Sequence, residues 1–443
     1  MGRTILDDAG MRGWKFYLKG LNLAPLICCL MISACGTEVI EQKDFDGIVK
    51  VGVLHSRTGT LAVSENTVAE AELMAIYEIN QAGGLQVGDQ RLQIVPIEED
   101  GQSKPMIFAK RLERLITRDQ VAVVFGGWTS ASRKAMLPVI EAHNHLLFYP
   151  LQYEGEECSR NIFYAGATPN QQAEPAINWL YENHGSRFFL AGSDYVYPRT
   201  ANRIIKHQLD ALGAQLAGEG YVPLGEMQLQ PLIDSIEQSL PDGGIIVNTI
   251  NGDSNVAFFR GLYDAGLTSQ RGYTVMSFSI AEEEVSAVGA QYLEGTYAAW
   301  SFFQSLDSPL SRQFTEQFKS LNGVHRVTND PAVAAYEMVL LWAAGVSKAK
   351  SIHPASVLQA LPGVRLETPE GAVEVHANHH LNKRALIGKV DAEGQFGVVF
   401  DGGHIEPEPW SAWLPENEGY ICDWTVERPD AGRFQPATGA LEL

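Results

Sequence analysis

The chain has 443 residues, a length for two or three domains of ordinary size, and 45% of them are hydrophobic, enough to build real cores. The 33 Lys and Arg stand against 53 Asp and Glu, a net charge of −20 that repels nucleic acid and excludes DNA or RNA binding as the main task. Charged residues at 19% are too few for a disordered polyelectrolyte, and no internal stretch reads as the roughly 20 apolar residues of a membrane span.

Residues 1–34 read as a targeting segment rather than folded protein. Arg12, Lys15 and Lys19 form a positive start, and residues 21–34 are an apolar run, short for a span and suited to a signal peptide. The run ends Ile32-Ser33-Ala34-Cys35-Gly36, which resembles the bacterial lipobox and makes Cys35 the expected site of lipidation after cleavage. Residues 35–46 then read as a polar tether. Of the remaining cysteines, Cys158 and Cys422 are left as either a disulfide or two buried thiols, since an export compartment permits both.

From residue 48 the pattern alternates strand and helix. Residues 48–54 (IVKVGVL) are a β-branched strand, followed by a polar loop over 55–64. A helix is expected over 67–82, opened by a Thr67/Glu70 capping box and stopped by Gly83-Gly84. Strands at 92–97, 121–125 and 146–149 alternate with helices at 105–118 and 130–141. A second set follows after residue 166: helix 171–182, strand 187–191, helix 198–212, strand 244–247, a helix from 254, strand 273–276 and a helix from 282. Helices near 311–321 and 331–348 and strands near 372–376, 385–391 and 397–400 complete the chain. The reading is α/β: two doubly wound, parallel-sheet lobes joined by a three-strand hinge. Lobe 1 takes residues 47–165 and about 299–375. Lobe 2 takes 166–298 and about 376–443.

Open α/β sheets bind ligands beyond the carboxyl ends of their strands. The loops there hold Trp128, Thr129 and Ser130, then Tyr149 and Gln152, then Tyr195 and Tyr197, then Ile250, Asn251 and Asp253. Aromatic, hydroxyl and amide groups dominate, with one Arg and no Lys. Such a lining suits a small, neutral, polar molecule. Ser130 has two compatible roles, helix N-cap and donor toward a ligand carbonyl, while Asp253 and Glu282 read chiefly as helix N-terminal charges. Arg133-Lys134 reads as a solvated or capping pair, and His376, His379 and His380 as structural rather than metal-binding.

With these residues in view, the chain resembles the type I solute-binding proteins of ABC importers, in the urea and short-chain amide branch. The blocks that carry the resemblance are Leu54-His55-Ser56 with Thr58-Gly59-Thr60, the run from Trp128 to Lys134, Phe148-Tyr149-Pro150 with Gln152-Tyr153-Glu154-Gly155, Gly192-Ser193-Asp194-Tyr195 with Tyr197-Pro198-Arg199, and the run from Asn248 to Asn255. They extend over nearly the whole chain after the targeting segment. The resemblance implies a periplasmic-binding-protein type I fold and a non-catalytic, membrane-anchored extracytoplasmic receptor. It further implies urea or a small amide as ligand, with ABC permease and ATPase subunits as partners and neither cofactor nor metal. Backbone carbonyls near Tyr149 and Ile250 are expected to receive urea N–H groups. A branched-chain amino acid receptor of the same fold stays open as an alternative. So does a cytosolic amide sensor, which shares several blocks but not the lipobox. A hydrolase lacks both a nucleophile–base pair and the Gly-x-Ser-x-Gly, Walker A or Gly-x-Gly-x-x-Gly motifs.

Overall fold

Unbroken apolar character is what makes the central strands central. β1 (Gly47–His55) is buried over its last five positions, and the short β4 (Val124–Gly126), β5 (Leu147–Tyr149) and β6 (Ile162–Tyr164) are buried throughout. With β2 (Leu85–Val87) and β3 (Gln90–Asp100) they form a six-stranded sheet in the order β2-β3-β1-β4-β5-β6, parallel except for the β2–β3 hairpin. The structure, a computed structural model, describes residues 45–436. The expected signal segment, Cys35 and nearly all of the tether therefore lie outside the described residues.

The second sheet has seven strands. They are β7 (Arg187–Ser193), β8 (Gln215–Val222), β9 (Gly244–Thr249), β10 (Tyr273–Ser277), β11 (Tyr297–Trp300), β14 (Lys383–Val390) and β15 (Phe396–Ile405), ordered β15-β14-β11-β10-β9-β7-β8. The five from β8 to β11 run parallel, and β14 and β15 add an antiparallel edge. Between β11 and β14 in sequence, β12 (Arg365–Thr368) and β13 (Gly371–Glu374) make a separate hairpin. Two lobes with parallel-rich sheets result, as the alternating pattern predicts.

The chain passes between the lobes after β6, after β11 and again before β14. The second passage brings helices Pro309–Asn322 and Asp330–Ala349 onto the first sheet, where Phe314, Phe318, Val339 and Trp342 join its core. Asp330–Ala349 is long and apolar enough to cross a membrane, which the sequence reading did not anticipate. It is packed inside the lobe, with Trp342 fully buried.

Several local expectations change. The first helix runs Ala62–Gln81 with Leu61 at its N-cap, so Thr67 and Glu70 are mid-helix and form no capping box. β8, whose sequence QLAGEGYV carries two glycines and little apolar alternation, was not foreseen, nor was helix Gln230–Ser239 after it. Cys158 and Cys422 form a disulfide across 264 residues, with Cα atoms 6.5 Å apart. It ties the C-terminal segment to the loop that follows β5.

Candidate functional site

Each sheet reverses its strand order once, beside β1 and β4 in the first lobe and beside β7 and β9 in the second. At such a point neighbouring loops diverge and leave a crevice. The loops after β4, β5, β7 and β9 meet there, and Trp128, Ser130, Leu151, Gln152, Tyr195, Tyr197 and Asn251 line a narrow cleft with about 10 Å³ of free volume. Six of these are residues that the sequence pattern selected, and Leu151 is an addition. The lobes touch across the cleft: Gln152 Nε2 donates to the carbonyl of Phe278 at 2.7 Å. Gln152 Oε1 is buried and has no partner among the described residues.

The other four selected residues do not line the cleft. Thr129 caps helix Ser130–Ala142, its hydroxyl oxygen accepting the N–H of Ser132 at 3.1 Å, so Thr129 and not Ser130 is the N-cap. Tyr149 is fully buried below, its hydroxyl donating to the carbonyl of Trp128. Ile250 is fully buried too. Its carbonyl already accepts from Ser279 Oγ and Asn255 Nδ2, and the carbonyl of Tyr149 accepts from the N–H of Ala165. The two carbonyls expected to receive a ligand are thus engaged. Asp253 is exposed at the start of helix Ser254–Asp264, its N–H bonded to Thr60 Oγ1 at 3.4 Å.

Freed from capping, Ser130 turns its hydroxyl to the Glu154 carboxylate and accepts from Arg133 Nη1 at 3.0 Å. Here the sequence reading of Arg133 fails. Its guanidinium is fully buried, bonded to Glu154 Oε1 at 3.1 Å and to Glu157 Oε1 at 2.7 Å, with Lys134 on the second oxygen of Glu157 at 2.9 Å. The Tyr153 and Tyr149 rings flank it, their centroids 4.5 and 4.9 Å from Cζ. Burial alone would raise the Glu157 carboxyl, but Arg133 and then Lys134 outweigh it and hold Glu157 at about 2. Two basic side chains face two acidic ones, so the floor beneath Ser130 pairs its charges internally. The partners lie 21 and 24 residues beyond Arg133, and only their joint occurrence in one loop, Glu154 to Glu157, offered a signal.

The histidines behave as structural groups. His380 stacks on Tyr164 with ring centroids 4.2 Å apart, and its Nε2 lies 2.6 Å from the Tyr153 hydroxyl. Burial pushes both His379 and His380 down to about 3, so both are neutral. No group of three metal-ligating side chains occurs among the described residues.

A family model described as a periplasmic binding protein domain matches residues 49–416. A leucine-, isoleucine-, valine-, threonine- and alanine-binding protein of Pseudomonas aeruginosa is 22% identical over 341 residues, covering 73% of this chain and 84% of that one. A limonene hydroxylase of Geobacillus stearothermophilus is 29% identical over 113 residues, 26% of this chain, and the match spans only about a fifth (21%) of that protein's length. Among solved structures, the solute-binding protein of an ABC transporter from Rhodopseudomonas palustris BisB5, in complex with 3,4-dihydroxybenzoic acid, superposes with a TM-score of 0.71 at 18% identity, covering 81% of this chain and 97% of that one. At that identity the likeness speaks for the fold.

Proposed function

We propose, since the chain belongs to the periplasmic binding protein family, that it is an extracytoplasmic receptor which captures urea or a similarly small amide between its lobes and delivers it to an ABC permease with its ATPase. The lipobox-like run ending at Cys35 supports a lipid anchor in the membrane.

One observation carries the choice of ligand: the cleft is small, with about 10 Å³ of free volume, and its lining offers neutral groups only. Pockets for drug-sized ligands run to about 300–1,000 Å³. A carboxylate ligand wants a cation, and the nearest, Arg133, is bound on three sides by Ser130, Glu154 and Glu157. Urea needs flat walls, a donor for its carbonyl and acceptors for its N–H groups. Trp128, Tyr195 and Tyr197 supply walls. The first turn of helix Ser130–Ala142 supplies backbone N–H donors beside the Ser130 hydroxyl. The unpartnered Gln152 Oε1 supplies a buried acceptor, a group that costs free energy until a donor meets it.

A thermal-shift panel of urea, formamide, acetamide, leucine and 3,4-dihydroxybenzoate tests this reading. Stabilisation by the amides and none by leucine or the aromatic acid is expected. The reverse pattern contradicts it and favours a receptor for branched-chain amino acids or aromatic acids.

A further inference from the structure

Away from the cleft, two side-chain hydrogen bonds join the lobes. Ser64, in the first turn of helix Ala62–Gln81, donates to Glu284 Oε1 at 2.5 Å, and Thr67, one turn on, donates to Glu283 Oε2 at 3.1 Å. Both glutamates belong to the seven-residue helix Glu282–Val288 of the second lobe. Glu284 is buried, and its Oε2 accepts the N–H of Ala281 at 3.0 Å. We infer that these two helix starts form a latch whose strength is set by the protonation of Glu284, so that the lobes close more readily as pH falls. The inference rests on the reading of the chain as a receptor with closing lobes, but not on the identity of its ligand.

The surroundings make closure costly for a charged Glu284. Glu283 of its own helix adds like charge beside it, Glu282 is raised to about 8 and carries a proton below that pH, and Glu70 of helix Ala62–Gln81 bears on Glu283 rather than on Glu284. The nearby cation, Arg326, serves the Thr67–Glu283 side of the latch, with Glu70 Oε2 and Thr67 Oγ1 both 2.8 Å from its Nη2, and no ion pair joins it to Glu284. From helix Ser254–Asp264, Arg260 bonds the Val288 carbonyl at 3.3 Å and lies over the Tyr292 ring of the short helix Ala290–Leu293. Closing therefore moves a carboxylate out of water into a buried position beside Glu283, with no cation of its own.

Burial pushes Glu284 up to about 7 in this closed arrangement, above its ordinary 4.5. In an open form the same carboxyl faces water and returns toward that ordinary value. A group whose acidity weakens on closing takes up a proton on closing. The closing equilibrium is thus strongest below about pH 4.5 and falls by at most roughly tenfold per pH unit as pH rises to about 7. Glu282, held by the N–H of Gln304 at 2.6 Å, is buried at the passage between lobes and is not part of the latch.

Fluorescence energy transfer between dyes on Met106→Cys and Leu216→Cys, exposed positions on opposite lobes, tests the latch in ligand-free protein. Transfer should rise as pH is lowered from 8 to 5. Glu284→Gln, which keeps the shape and removes the charge, should hold high transfer at both extremes, and Ser64→Ala should lower it at pH 5. Circular dichroism checks that each variant is folded. A wild-type signal independent of pH, a Glu284→Gln profile that follows the wild type, or a Ser64→Ala variant unchanged at pH 5 would each overturn the inference. Urea added in a separate arm reports on the ligand: no response to urea counts against the proposed function and leaves the pH result standing.

Discussion

The two lobes support their halves of the cleft in different ways. Beneath Ser130 the first lobe buries three ions, Arg133, Glu154 and Glu157, that satisfy one another with half-buried Lys134 at their edge. Under Asn251 the second lobe uses amides and hydroxyls. Asn248 Nδ2 donates to Asn255 Oδ1 at 3.0 Å and to Ser277 Oγ at 3.2 Å, Asn248 Oδ1 accepts the N–H of Ile250 at 2.9 Å, and Ser193 Oγ accepts the N–H of Asn251 at 3.0 Å. Both devices fix loops at strand ends and both present neutral groups to the ligand. They differ in the penalty for a missing member. Removing one ion strands another in the interior, whereas removing one amide strands only a dipole.

Arg133→Met is therefore expected to be the most damaging change. It leaves Glu154 and Glu157 buried with only Lys134 nearby, at a cost of roughly 3–5 kcal/mol, read from denaturant midpoints. Asn248→Ala in the other lobe should cost roughly 1–3 kcal/mol. Equal losses would erase the distinction between the lobes.

Acid titration sharpens it. Glu157 is held at about 2 against an ordinary 4.5, so its contribution is complete above pH 4.5 and disappears as pH falls toward 2, a loss of about 3 kcal/mol. Glu282 has the opposite sign. Burial raises it to about 8, so its carboxyl binds a proton in the folded state and stability declines as pH rises from 4.5 to 8. Glu157→Gln should flatten the acid limb of the stability curve, and Glu282→Gln the alkaline one. Variants that retain both limbs would show that other groups set them.

The disulfide offers an effect of intermediate size that acts mainly through the unfolded chain. Cys422→Ser frees a loop of 264 residues and should cost about 2–4 kcal/mol in thermal unfolding.

The contrast between lobes also marks what the sequence could show. β1 and β4 were legible because both read as apolar runs, and the strand-end rule then placed Trp128, Ser130, Gln152, Tyr195, Tyr197 and Asn251 together. β8 was not legible, because an edge strand half in water needs no apolar pattern. Thr129 and Ser130 are adjacent hydroxyls, and either satisfies the capping preference; only the backbone shows that Thr129 caps. Arg133 was misread because a basic pair early in a helix is ordinarily solvated, and its buried partners lie in a loop more than twenty residues away. Long-range pairing of charges leaves little periodic trace in a chain, whereas helix and strand do.

The central claim is that a neutral cleft selects a small neutral amide, and calorimetric titration with urea and leucine, in wild-type protein and in Ser130→Ala and Gln152→Leu, tests it most directly. Wild-type protein should bind urea and not leucine, with little dependence on salt because no net charge holds the ligand. Each variant should weaken urea by one to two powers of ten, the effect of about 1–3 kcal/mol from one lost buried hydrogen bond. Tight binding of leucine with no heat from urea would contradict the claim and leave the fold untouched.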